Sequence, residues 1–211
     1  KIEILENKIK SISNSKTYFL DKIYWLIEDC KKYGTLPFAG LARCGFVGTE
    51  LLNSLVEEKI ISEKDKEKFL KSIKTIAFDL NNDFFNKDKK NFIKKYGHLR
   101  PNTYEVDTLN YKEGYHTYFN KSKKENIKLK YKKFIFSEKN LNAINKLLKK
   151  NNLSIDAQNL IDFIKKSIQL REYSKFVFTK SIDQIFYNLK ALFKRLNISK
   201  NDIKFLSIQT I

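Results

Sequence analysis

Glycine and proline number only 6 and 2 among 211 residues, too few for the turns of a β-sandwich or barrel. Helical spacing fills the chain instead. Phe19, Ile23, Leu26 and Cys30 recur at i, i+4, i+7 and i+11, with Trp25 on a neighbouring face. That helix is expected to stop at Tyr33-Gly34, where glycine suits a C-terminal cap. Thr35-Leu36-Pro37 reads as a cap followed by proline in the first turn of a second helix, from about Pro37 to Glu57. Gly40, Gly45 and Gly48 lie inside it, each costing about 1 kcal/mol relative to alanine. Their presence predicts close approach of another helix or of a ligand.

Ser62 is expected to cap a third helix with Asp65 at its third position and Phe69, Ile73, Ile76 and Leu80 on its apolar face. Phe84 to Lys95 reads as a short helix ended by Gly97, and Ser137 to Lys150 as another. Ser154 is expected to cap the longest pattern, which reaches about Leu196 and invites a break near Tyr173 to Thr179. Ser199 to Asp202 opens a last short helix. No alternating strand and no internal repeat appears. The expectation is an all-α fold of about seven helices in a single domain over residues 1–211. It has one long C-terminal helix, an irregular stretch around 97–135 and a Lys-rich loop or insertion at 120–134.

The formal charge of +18 raises nucleic acid as a partner, but of 42 basic residues only Arg43, Arg100, Arg171 and Arg195 are arginine. Readers of bases and phosphates use arginine forks as well as lysine, so most of this charge reads as solvated surface and nucleic acid is disfavoured. No apolar run approaches the roughly 20 residues that span a bilayer, and Lys1 to Lys10 does not resemble a signal peptide. Methionine is absent throughout, so the chain reads as processed or cut from something longer. Cys30 and Cys44 have no CxxC partner and read as small apolar residues in a reducing cytoplasm.

Groups able to do chemistry converge in one irregular segment: His98, Arg100, Tyr104, Glu105 and Asp107. Arginine grips carboxylate or phosphate bidentately, and Glu105 or Asp107 suits an amino group or the orientation of His98. The alternative is structural, with His98 capping a helix and Arg100 pairing with Glu105 to pin the loop. A metal site of His98, Glu105 and Asp107 matches no zinc signature. His116, among tyrosines, reads as a loop residue. Two further segments carry cations on helices. Arg43 is either a buried ion-pair member or a ligand-binding cation, and Arg171 with Glu172 and Lys175 is either a ligand site or an exposed charge cluster. No Gly-rich phosphate loop, GxSxG or HExxH is present.

These three segments in this order resemble the central region of the phosphoenolpyruvate synthase and pyruvate phosphate dikinase-like family, over roughly Thr35 to Ile208 without the Lys-rich loop. Tyr96-Gly97-His98-Leu99-Arg100-Pro101-Asn102-Thr103-Tyr104-Glu105-Val106 is similar to the "YGHLRPGTYDI" stretch of bacterial members. Asn102 stands for the usual glycine and Glu105 for the usual aspartate. Leu36 to Arg43 resembles the family's "PFxxLAR" helix and Leu170 to Phe176 its "REYxKF" helix. The resemblance implies three parts: an ATP-grasp domain, a swivelling phosphohistidine domain and an acceptor domain. Neither His98 nor His116 stands in a Thr/Ser-His-Ala context, and the nucleotide loop is missing. The chain therefore resembles the acceptor-substrate part, inactive alone and binding no cofactor itself, with ATP and Mg2+ expected on the ATP-grasp domain. Its Lys/Asn/Ile-rich composition and the His98-Leu99-Arg100-Pro101 variant resemble the branch that phosphorylates the side-chain amide nitrogen of L-glutamine for capsule modification, releasing AMP and phosphate. On that reading Arg100 or Arg43 meets the acceptor's carboxylate and Glu105 or Asp107 its ammonium. His98 assists proton removal or stabilises the phosphoryl group, and Tyr104, Arg171 and Glu172 complete the candidate set.

Overall fold

The computed structural model describes residues 1–119, 132–199, 202 and 205, and among these the chain is helical with no strand, as the periodicity predicts. The helices are α1 (Ile2–Asn14), α2 (Phe19–Cys30), α3 (Leu36–Glu57), α4 (Glu63–Lys71), α5 (Ile76–Asn86), α6 (Lys89–Tyr96), α7 (Tyr115–Tyr118), α8 (Glu138–Lys150) and α9 (Ala157–Arg195). None of them is long and apolar enough to cross a membrane. The described residues group into two compact units. Those of Lys1–Pro37, Leu80–Ile127 and Ser174–Ile211 form the first, and those of Phe38–Asp79 and Lys128–Tyr173 the second. The helical pattern of the sequence does not announce this division.

In the first unit, α1 and α2 bury Leu5, Ile9, Ile23, Leu26 and Cys30. The alternating residues at the N-terminus thus form a helix that the sequence reading passes over. The helix also does not stop at Gly34. A π-helical turn, Lys31–Thr35, carries it directly into α3, and Thr35 donates its hydroxyl to the Lys31 carbonyl instead of capping. No glycine among the described residues has a positive φ. Gly34 is needed for space: a Cβ there would lie 2.8 Å from Phe178 Cβ and 3.0 Å from Leu5 Cδ2.

The aromatic side chains Phe84, Phe92, Tyr96, Tyr115 and Phe119 pack edge-on or tilted against one another behind α5, α6 and α7. The expected helix from Phe84 to Lys95 is divided, because Asp88 accepts from the Asn91 N–H at 2.8 Å and starts α6 afresh. Asp83, beside this cluster, accepts at Oδ2 from the Tyr96 hydroxyl (2.8 Å), Lys87 (3.0 Å) and Lys95 (3.1 Å). Burial opposes its charge, but these three donors outweigh it and hold the carboxyl below its usual range.

The second unit is built on an apolar cluster of Leu52, Leu55, Phe69, Ile73, Phe136, Ile144, Leu148, Leu160 and Ile164, from α3, α4 and the turn after it, α8, the start of α9 and the run before α8. Full burial of each large side chain is worth about 1.5–3 kcal/mol. Ser62 caps α4 by accepting from the Asp65 N–H, and Ser137 forms a capping box with Asn140 on α8. Two of the three α3 glycines are close-approach positions. A Cβ on Gly48 would lie 2.8 Å from Ser167 Oγ, and one on Gly45 would lie 3.3 Å from Arg171 Cδ, whereas Gly40 faces open space.

α9 corrects the sequence reading twice. Its start is held by Asp156, which accepts from the Asn159 N–H at 2.8 Å, and not by Ser154. It then runs unbroken for 39 residues through the stretch where a break is expected. The boundary between the units nevertheless falls there, between Tyr173 and Ser174. Within 97–135, α7 interrupts the irregular stretch. Residues 120–131 of the Lys-rich loop, and most of the helix expected after Ser199, lie outside the described residues.

Candidate functional site

The segment after α6 folds back on itself. Tyr111 N–H donates to Leu99 O at 2.7 Å, Lys112 N–H to Gly97 O at 3.1 Å, and Gly114 N–H to Asn110 O at 2.8 Å. The loop therefore forms a fixed arch, and one face of α9 in the same unit supplies its partners. Phe176, Lys180, Asp183, Tyr187 and Lys190 fall at i, i+4, i+7, i+11 and i+14, a single helical face.

Arg100 joins the arch to this face, and its side chain is only 4% exposed. One terminal nitrogen donates to the carbonyls of Thr108 (3.2 Å) and Glu105 (3.5 Å), and the other pairs with Asp183 Oδ1. The guanidinium carbon lies 4.8 Å from the Phe186 ring centroid. Asn110 also donates to Asp183 Oδ1, at 2.9 Å, and its side-chain Oδ1 accepts from the Glu113 N–H at 2.8 Å. Burial pushes the Asp183 carboxyl up, Asn110 and Arg100 oppose it, and Glu113 adds to the rise, so the net direction is upward. Arg100 thus pins the loop as the structural alternative requires, through the Glu105 backbone and a carboxylate 83 residues away instead of the Glu105 side chain.

His98 is similarly engaged. Its ring sits edge-on against Phe176, with centroids 4.8 Å apart, and Nε2 lies 3.0 Å from the Phe176 carbonyl oxygen. A carbonyl only accepts, so the ring carries its proton on Nε2. Burial pushes the imidazole pKa down to about 4. The Phe176 carbonyl resists this, and the charges of Lys180 and Arg100 reinforce it. His98 is therefore neutral at physiological pH. The Glu105 carboxylate accepts from Asn102 (2.7 Å) and Thr108 (3.0 Å), while Tyr104 and Asp107 are exposed.

His98, Arg100 and Glu105 are thus drawn together in the first unit. Arg43, Arg171 and Glu172 belong to the second. Arg43 is exposed, not a buried ion-pair member. Arg171 pairs with Glu172 at 2.9 Å and lies along α3 at Gly45. Among the described residues no group of three or more His, Cys, Asp or Glu side chains is placed to hold a metal ion.

A cleft of about 320 Å³ opens beside the Arg100–Asp183 pair, lined in part by Lys112, Glu113, Tyr187 and Lys190. Lys190 and Glu113 face each other at 3.5 Å. Both donors to Asp183 reach Oδ1, so Oδ2 carries no such bond among the described residues. Of this lining the sequence reading names only Arg100. Asn110, Lys112 and Glu113 come from the arch and Asp183, Tyr187 and Lys190 from one face of α9, and no local spacing joins the two sets. Comparison of the chain with protein-family models, with curated proteins and with solved structures finds no match.

Proposed function

We propose that the cleft beside Asp183 holds a small zwitterionic acceptor, and that the chain is the acceptor-substrate part of an ATP-dependent phosphotransferase. The observation that carries this reading is the pairing of signs on a rigid frame. Lys112 and Lys190 meet a carboxylate, and Glu113 with Asp183 Oδ2 meets an ammonium. The volume lies within the range of small-ligand sites, about 300–1,000 Å³. The resemblance in the Tyr96 to Glu105 segment favours L-glutamine as the acceptor, phosphorylated at its amide nitrogen. Phosphoryl transfer needs chiefly positioning and charge neutralisation, which a basic cleft supplies. Arg100 then acts as a positioning residue that aims Asp183, and neutral His98 holds α9 against the arch. ATP, Mg2+ and the phosphohistidine belong to other parts of the enzyme.

Calorimetric titration with L-glutamine tests the reading. One-to-one binding that Lys190→Glu weakens at least about tenfold is expected. Absence of binding, or an affinity that Lys190→Glu leaves unchanged, overturns it. The chain by itself is expected to turn over no ATP.

A further inference from the structure

α3 is the longest helix without lysine. All but four of the 42 basic residues in the chain are lysine, yet the 22 residues of α3 contain none. Its buried side is Gly45, Gly48, Leu52 and Leu55. On the opposite side Ala39, Gly40, Arg43, Phe46, Val47 and Glu50 are all exposed. At 3.6 residues per turn these six share about a third of the helix circumference. Phe46 is 65% and Val47 52% exposed, and apart from the local helix backbone no atom lies within 4 Å of where a Cβ on Gly40 would stand. Aromatic and arginine enrichment with lysine depletion is the composition of an interface core, not of solvated surface.

This face complements itself. Arg43 and Glu50 stand two turns apart on one line with Phe46 and Val47 between them. Arg43 has no ion pair among the described residues, and the Glu50 carboxylate accepts only a long 3.4 Å contact from Asn53. An antiparallel two-fold axis passing between Phe46 and Val47 sets each Arg43 against Glu50 of the partner subunit and packs the two apolar pairs together. Such a contact is isologous, and it closes. Two chains of +18 also approach through this lysine-free face with less repulsion than through the lysine-rich helices.

We propose that α3 is the interface of a homodimer, formed through the face Ala39 to Glu50 and held by reciprocal Arg43–Glu50 pairs. A single-helix contact is small, so the dimer dissociates at about micromolar concentration. Sedimentation equilibrium of the full chain tests it. Arg43→Glu and Glu50→Arg each weaken association at least about tenfold, and the double exchange restores it to within about threefold. Circular dichroism stays unchanged because both side chains are exposed. A chain that remains monomeric up to about 1 mM overturns the proposal, as does a double exchange that fails to restore association.

Discussion

The core of the second unit and the arch of the first are held by different physics. Around Phe69, burial is apolar and non-directional, and each side chain contributes through area removed from water. Around Arg100, the buried groups are polar and each depends on particular partners: Asp183 on Arg100 and Asn110, His98 on the Phe176 carbonyl. An apolar core degrades with lost volume. A buried polar pair fails when either member is lost, because the survivor is left charged and unsolvated.

Matched substitutions separate the two. Phe69→Ala is expected to cost about 3–5 kcal/mol in urea unfolding, while Phe69→Leu, which keeps most of the volume, costs about 1–2. Arg100→Ala is expected to cost a similar 3–5 kcal/mol, but here removing the partner helps: Arg100→Met with Asp183→Leu recovers most of the loss. A double variant no better than Arg100→Ala alone would erase the distinction. His98 sharpens it through pH. Its folded-state pKa lies below the ordinary value, so the stability it contributes is present above pH 6.5 and is lost as pH falls toward 4. His98→Gln removes that dependence, and the difference between the two proteins changes by about 3 kcal/mol from pH 7.5 to pH 4. The smallest effect separates two glycines of α3. Gly48→Ala collides with Ser167 and costs about 1–3 kcal/mol, whereas Gly40→Ala meets open space and stabilises by up to about 1.

Local rules account for what was legible beforehand. Ser62 and Ser137 cap the helices they precede, because a hydroxyl three residues before a free N–H needs no distant partner. The apolar stripes through Ile23, Ile144 and Ile164 face the core because periodicity alone places them on one side, whereas the stripe expected from Phe69 to Leu80 is divided, α4 ending at Lys71 and α5 starting at Ile76. Gly34, Thr35 and the expected break in α9 went the other way for a common reason. Helix propensity is worth about 1 kcal/mol per residue, and tertiary packing, here Gly34 against Phe178 and Leu5, overrides it. The candidate site divides along the same line. His98, Arg100 and Glu105 were visible as chemical types in one short segment. Asp183 was not, because it is one acid on a 39-residue helix until the fold brings Arg100 to it.

By itself, then, the sequence determined the all-α class, the caps at Ser62 and Ser137 and most of the apolar faces, since each follows from spacing along a chain whose helical geometry repeats every 3.6 residues. The tertiary structure decided which charges are buried, which partner each one has, and which face of α3 is left uncovered. Those depend on side chains many residues apart in the chain, whose meeting no local periodicity encodes.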